Sequence, residues 1–337
     1  GSGSGSGNCS GNDKNSEIMK KNGNKNNASR SFSLSTHYGT HANAETYDNA
    51  YFYAPGAYME HLVSVLRDRM GLAQQQEQQR SRCILDIGGG TGTFAEALVK
   101  DETTNANVVV VEPFLDPGVL SSSYPNDDDG DDDNRNRKNS SGVTFVRASA
   151  EDFMIPPTED CWRTTIVDRH HGGYDQILLK EVVHHFAEED RVGIFRGMRE
   201  GFRANRHGSP PNGNAGIVAP SLLIVTRPQT DIDYPLWDEA RAVWSKNQPS
   251  VEVLEEDLRT AGYTNLERSI EAIECSISLS RWQAMVKSRC WSTFSGFSDE
   301  ELEAACETIA REAAGVHDQS DDPILRFFDR LILVAAS

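Results

Sequence analysis

The chain has 337 residues, 37% of them hydrophobic, and its 33 basic and 51 acidic side chains leave a formal net charge of −18. That length suits one large α/β domain or two small ones. The surplus of acids disfavours a partner gripped through its phosphates, so no nucleic acid is expected, and no run approaches the ~18 apolar residues of a membrane helix.

Residues 1–40 are mainly Gly, Ser, Asn and Lys and cannot bury enough apolar surface to offset their ordering entropy, so a disordered tail is expected. The chain opens on Gly-Ser repeats rather than Met, which leaves open a trimmed organelle-targeting segment. Six scattered cysteines, none in a C-x-x-C pair, point to a reducing compartment, hence the cytoplasm, and to no structural zinc. From Tyr47 onward, Tyr51, Tyr58, Leu62, Val65 and Leu66 recur near helical spacing, with Pro55-Gly56 breaking the run.

Five short apolar runs follow, at 83–87, 108–111, 143–146, 174–179 and 222–225. They are nearly continuous and rich in branched side chains, as strands buried on both faces of a parallel sheet should be. Helical stretches at 94–100 and 190–203 lie between them, and the alternation predicts an open α/β sheet with helices on both faces. Residues 119–142 show no helical period; counting an EF-hand loop from Asp127 puts Lys138 where a Glu is needed, so a solvated acidic insertion is expected instead. Residues 251–262 read as an amphipathic helix ending at Gly262, 267–280 as a long strand, 299–315 as a helix and 326–337 as a final strand. The stretch 280–315 between the last two strands is too long for a hairpin turn and reads as a helical lid over the sheet's carboxyl edge.

The chemistry centres on LDIGGGTGTF. A strand ending in Asp, a glycine turn and a helix start together make a nucleoside or phosphate site. The dinucleotide pattern fails because Thr93 stands where its third Gly should be, and the P-loop fails for want of a Lys-Ser/Thr pair. D-x-G-x-G-x-G does fit, as Asp86, Gly88, Gly90 and Gly92, and the next strand ends at Glu112, 26 residues on (112 − 86). An acid there is placed to accept two ribose hydroxyls.

With VVVVEPF, VRASAEDF and YDQILLKEVVHHF in the same order and spacing, the chain resembles the class I S-adenosylmethionine-dependent methyltransferases. The region 278–305 is similar to the corresponding part of the small-molecule, trans-aconitate methyltransferase-like branch. The resemblance covers roughly residues 47–337, within a single domain expected over 41–337. It implies a Rossmann-like, mostly parallel seven-stranded sheet whose last strand is antiparallel and inserted beside the fifth. It also implies S-adenosyl-L-methionine as cofactor and a small methyl acceptor.

Carried over residue by residue, the resemblance implies that Gly88, Gly90 and Gly92 admit the methionine part of the cofactor and that Asp86 orients its amino group. It implies that Glu112 holds the ribose and that Pro113 or Phe114 walls the adenine. Ser149, Ala150 and Glu151 would lie near the adenine amino group, where Ser149 replaces the family's usual Asp, and Lys180 near the methionine end. His184 and His185 follow the fourth strand and are the candidate catalytic bases for a hydroxyl or ammonium acceptor.

Tyr51, Arg227, Trp237, Trp282 and Arg289 are the candidate substrate contacts, and arginines among aromatics suit a small carboxylate. His170 and His171 sit in a polar turn without a ligand partner at metal spacing, so no metal is expected. Carboxyl O-methylation, S- or N-methylation, protein methylation and cofactor binding without turnover all remain open on these residues.

Overall fold

A computed structural model describes residues 55–72, 81–100, 104–114, 142–156, 163–164, 173–202, 221–314 and 322–337. The predicted tail, almost all of the acidic insertion, Tyr51 and His170-His171 lie outside the described residues.

Each of the five apolar runs forms a strand: β1 Arg82–Ile87, β2 Ala106–Val111, β3 Val143–Val146, β4 Gln176–Lys180 and β5 Leu222–Thr226. All pair in parallel, in the order β3-β2-β1-β4-β5. Because successive side chains point to opposite faces of a sheet, one run feeds two cores. Ile84, Val108, Val110, Leu178, Leu223 and Val225 pack on one side. Leu85, Ile87, Val109, Val111, Ile177 and Leu179 pack on the other. That double burial is why the runs lack the polar alternation of a half-exposed strand.

The first face is covered by α1 (Pro55–Arg69), through Leu62 and Leu66, and by α2 (Thr93–Val99), through Phe94 and Leu98. The second face is covered by α3 (Glu188–Glu200), through Ile194, Phe195 and Met198, and by α5 (Val251–Ala261), through Leu254 and Leu258. Each such side chain contributes about 1.5–3 kcal/mol by leaving water. α5 begins where Ser250 Oγ accepts the Val253 N–H and stops at Gly262, whose φ of 99° leaves the helical region. Between β5 and α5 lies α4 (Asp238–Asn247).

Two long strands finish the sheet. β6 (Leu266–Ser278) pairs antiparallel with β7 (Ile324–Ala336) over its whole length, and β7 lies antiparallel to β5, so the full order is β3-β2-β1-β4-β5-β7-β6. This is the Rossmann-like sheet expected above. The sixth strand ends two residues before the predicted limit because Ser278 turns to cap α6 (Leu279–Lys287), accepting the Arg281 N–H. α6 and α7 (Asp299–Ala314) occupy the predicted lid region, and their apolar residues, Trp282, Met285, Val286, Leu302 and Ile309 among them, belong to the core on the sheet's first face.

Candidate functional site

The order of the strands reverses between β1 and β4, and the crevice beyond their carboxyl ends is where an open α/β sheet can receive a ligand. The turns that follow β1 to β5 lie at this edge.

After β1 the chain turns on glycine. Gly88 donates its N–H to the Val111 carbonyl at 2.8 Å, and a Cβ on it would lie 2.5 Å from the Val182 side chain. Gly88 and Gly90 both have positive φ, +71° and +56°, but a Cβ on Gly90 would have no atom within 4 Å. The backbone is therefore bare toward open space, not toward a packed neighbour, which is what close approach of a ligand requires. Gly92 stands at the N-terminal cap of α2.

Asp86 lies beneath this turn, 2% exposed. Burial raises its carboxyl pKa to about 6; the Lys180 ammonium counters that rise and the Glu112 carboxylate reinforces it. Glu112, at the end of β2, accepts the Gly90 N–H at 3.2 Å on Oε2 and the Phe114 N–H at 3.1 Å on Oε1. Burial raises its pKa, and the two N–H donors oppose the rise. A carboxylate offers about four lone-pair sites, so two remain for outside donors such as a pair of hydroxyls.

Pro113 is half-buried, with its carbonyl accepting from Arg147 Nε at 3.3 Å, and Phe114 is 42% exposed beside it. β3 brings the next group alongside, since the Glu112 N–H is donated to Val146 O at 3.0 Å. There Ser149 opens a 3-10 turn, its N–H bound by Asp152 Oδ2 at 3.0 Å, with Ala150 buried and Glu151 exposed on the same turn. Asp152 is thus already engaged within the turn. Lys180 ends β4 with its Nζ 4.2 Å from the Phe94 ring centroid and 3.4 Å from Glu181 Oε1.

A pocket opens beyond β4 and β5. Glu181, His184, His185, Thr226 and Arg227 line it from the sheet. Trp244, Asn247 and Gln248 line it from α4 and the turn after it, and Cys290 to Thr293 from the turn between α6 and α7. Glu181 has a φ of +59°, uncommon for a residue with a Cβ. Its N–H is tied to Val225 O at 2.7 Å, and its carboxylate meets both Lys180 and Arg227 Nη1. The rings of His184 and His185 lie 3.9 Å apart. Burial, followed by opposing effects of Glu181 (raising) and Arg227 (lowering), brings His184 down to about 4, so its imidazole is neutral at pH 7.

Arg227 is 7% exposed and held on several sides. Nε donates to Tyr234 Oη at 2.7 Å and Asp329 Oδ1 at 3.1 Å, and Nη2 donates to Asp329 Oδ2 at 3.2 Å. Asp329, fully buried on β7, also accepts the hydroxyls of Tyr234 and of Tyr58 from α1, the latter at 2.7 Å. Burial, with Asp329 beside it, pushes the Tyr234 phenol well above its usual range. An unpaired buried charge would be costly, and here each of the two has several partners.

Of the predicted substrate contacts, Arg227 lines the pocket and three others do not. Trp237 stacks on Phe294 with ring centroids 5.8 Å apart. Trp282 is buried, its indole N–H donated to the Pro235 carbonyl at 2.9 Å. Arg289 binds Asp299 Oδ1 at 2.7 Å and Phe297 O at 2.8 Å, which ties the α6–α7 connection together. Glu181 and Asp329 escaped the sequence reading. Asp329 does leave a signal: it falls in phase with Phe327, Leu331 and Leu333, so strand alternation puts an acid on an apolar face. Among the described residues no group of three or more His, Cys, Asp or Glu side chains is arranged to hold a metal.

No family model matches the chain, and no curated protein matches it in sequence. Solved structures of similar fold include the cyclase SpnF, 15% identical over 82% of this chain and 80% of that one, with a TM-score of 0.43. A SAM-dependent methyltransferase from Archaeoglobus fulgidus is 13% identical over 83% and 94%, at a TM-score of 0.40. The plantazolicin methyltransferase BamL is 11% identical over 90% and 93%, also at 0.40. A shared fold does not determine an activity, so the chemistry has to come from the residues of the crevice.

Proposed function

We propose that the protein is an S-adenosyl-L-methionine-dependent methyltransferase that acts on a small molecule by in-line displacement at an oxygen or sulfur acceptor. The observation that carries this reading is the pairing of Gly90, bare toward open space, with Glu112, whose carboxylate keeps acceptor sites beside it. The residues present fit such a cofactor. Glu112 would take the ribose hydroxyls, Asp86 and the glycine turn the amino-acid end, and Phe114 or Pro113 the adenine face. Ser149, Ala150 and Glu151 would border the adenine edge, and Lys180 the methionine end.

When bound, the cofactor supplies a methyl group already activated by a sulfonium, so the protein needs chiefly to align an acceptor and exclude water. His184 lines the pocket as a neutral imidazole, able to accept a hydrogen bond from an acceptor hydroxyl and orient it. Its low basicity suits positioning better than full proton removal; His185 stands beside it in the same role.

The expectation of a carboxylate-bearing acceptor rested on Arg227 and Arg289, and both guanidiniums are engaged by acids of the chain. They therefore give that acceptor little support. The alternatives, methylation of a protein or cofactor binding without turnover, are separated by one experiment. The protein is incubated with S-adenosylmethionine and either fractionated small metabolites or protein extract, and S-adenosylhomocysteine release is followed with mass detection of a +CH₂ product. Release with small metabolites supports the proposal, release with protein extract alone favours the first alternative, and binding without release favours the second.

A further inference from the structure

We infer that the pocket beyond β4 and β5 selects an electrically neutral, hydrogen-bonding acceptor and rejects carboxylates, with Glu181 as the residue that sets this preference. The inference rests on the reading of that pocket as the acceptor's site.

Among the described residues lining the pocket, Arg227 is the one permanently cationic side chain. A guanidinium recognises a carboxylate by presenting a fork of N–H donors, and this fork is turned inward. Nε and Nη2 go to Asp329, and Nη1 goes to Glu181. Glu181 is itself shared with Lys180, at 3.4 Å. Two acids and two bases therefore cancel within the wall.

An arriving carboxylate would meet the Glu181 carboxylate with no uncompensated positive charge in return. In a site of reduced dielectric that repulsion is large compared with its value in water. The rest of the lining is uncharged apart from the histidines: Asn247, Ser292 and Thr293 bring hydrogen-bonding groups and Trp244 and Trp291 bring rings, while the Gln248 amide nitrogen is already bound to Thr226 and the Arg227 carbonyl. Specificity here comes from a repulsive element as much as from attraction.

Why the wall holds Glu181 so firmly is also visible. Its backbone is in the left-handed region, its N–H is fastened to β5, and its carboxylate is held in the pocket lining between Lys180 and Arg227. Glutamine in its place keeps the backbone and the size but removes the negative charge. Arg227 would still be held by Asp329, and Lys180 would still lie close enough to Asp86 to act on it, but the wall would no longer present a carboxylate to an arriving acid.

The test is a binding measurement that needs neither cofactor nor turnover. Titration calorimetry at pH 7.5 compares 3-hydroxybenzamide with 3-hydroxybenzoate, and lactamide with lactate, on the wild-type chain and on Glu181→Gln. At least one amide is expected to bind the wild type ten or more times tighter than its acid. Glu181→Gln is expected to raise affinity for that acid at least tenfold while changing the amide's less than threefold. Equal affinities, a preference for the acids, or no binding by either pair overturns the inference; so does a folded Glu181→Gln chain that weakens both members alike. The wild-type comparison stands even if the variant does not fold. Because no methyl transfer is read, failure here leaves the methyltransferase proposal to its own assay.

Discussion

Asp86 and His184 should give the protein two opposing dependences of stability on pH, each exposed by removing the other group. The Asp86 carboxyl is raised from 3.8 to about 6, chiefly by burial. Between those values the folded state binds more protons than the unfolded state, so stability falls as pH rises through the window. Two pKa units at 1.36 kcal/mol each make the loss about 3 kcal/mol, complete above pH 6. His184 is lowered from 6.5 to about 4, again chiefly by burial. There the unfolded state binds more protons, so stability is lost as pH falls from 6.5 through 4, also by about 3 kcal/mol.

In the wild type the two slopes largely cancel between pH 4 and 6. Asp86→Asn, nearly isosteric, should gain about 3 kcal/mol over the wild type at pH 7, with the gain vanishing near pH 4. His184→Asn should show a constant offset from lost packing, plus a gain that grows as pH falls from 6.5 to 4. Urea unfolding from pH 4 to 8, with unchanged m values, reads both differences. If the Asp86→Asn difference is flat across that range, burial does not raise the carboxyl's pKa and the reasoning about this site is refuted.

Other consequences can be checked on single variants. Glu112→Ala should lower affinity for S-adenosylmethionine by about 10- to 100-fold, the size of lost hydrogen bonds to a charged group, with the change in unfolding free energy staying within about 1 kcal/mol; calorimetry and urea melts separate the two. Gly90→Arg fills the open space above the glycine turn, so S-adenosylmethionine at a hundred times its wild-type dissociation constant should no longer add the ~2.7 kcal/mol of stability it gives the wild type. Asp329→Ala leaves Arg227 buried with half its partners and should cost about 3–5 kcal/mol in chemical unfolding. Phe195→Ala, inside α3, should cost about 3–5 kcal/mol by opening a cavity against the sheet, without altering cofactor affinity relative to the wild type.

The parallel strands could be read from the sequence because burial on both faces leaves unbroken branched runs, as in Val108–Val111 and Leu222–Val225. The long closing strands were legible by length. α4 was not anticipated: it is ten residues long, and only Ala240 and Trp244 are buried along it, too few to show a helical period.

In the crevice, glycine spacing revealed the turn, since a bare backbone leaves a mark in sequence. Side-chain partnerships leave none. Arg227 looked available to a ligand because Glu181 and Asp329 lie 46 and 102 residues from it and become neighbours only through strand pairing. Trp282 and Arg289 looked alike for the same reason, although the first fills a core and the second ties a turn.

The most direct test of the central claim couples binding to turnover on the wild-type chain. S-adenosylmethionine should stabilise the protein, and in the presence of a neutral small-metabolite fraction it should be converted to S-adenosylhomocysteine with an equal amount of a product heavier by CH₂. If S-adenosylmethionine neither shifts the unfolding transition nor is consumed with any fraction, the crevice formed by Asp86, Gly90 and Glu112 is not a site for this cofactor.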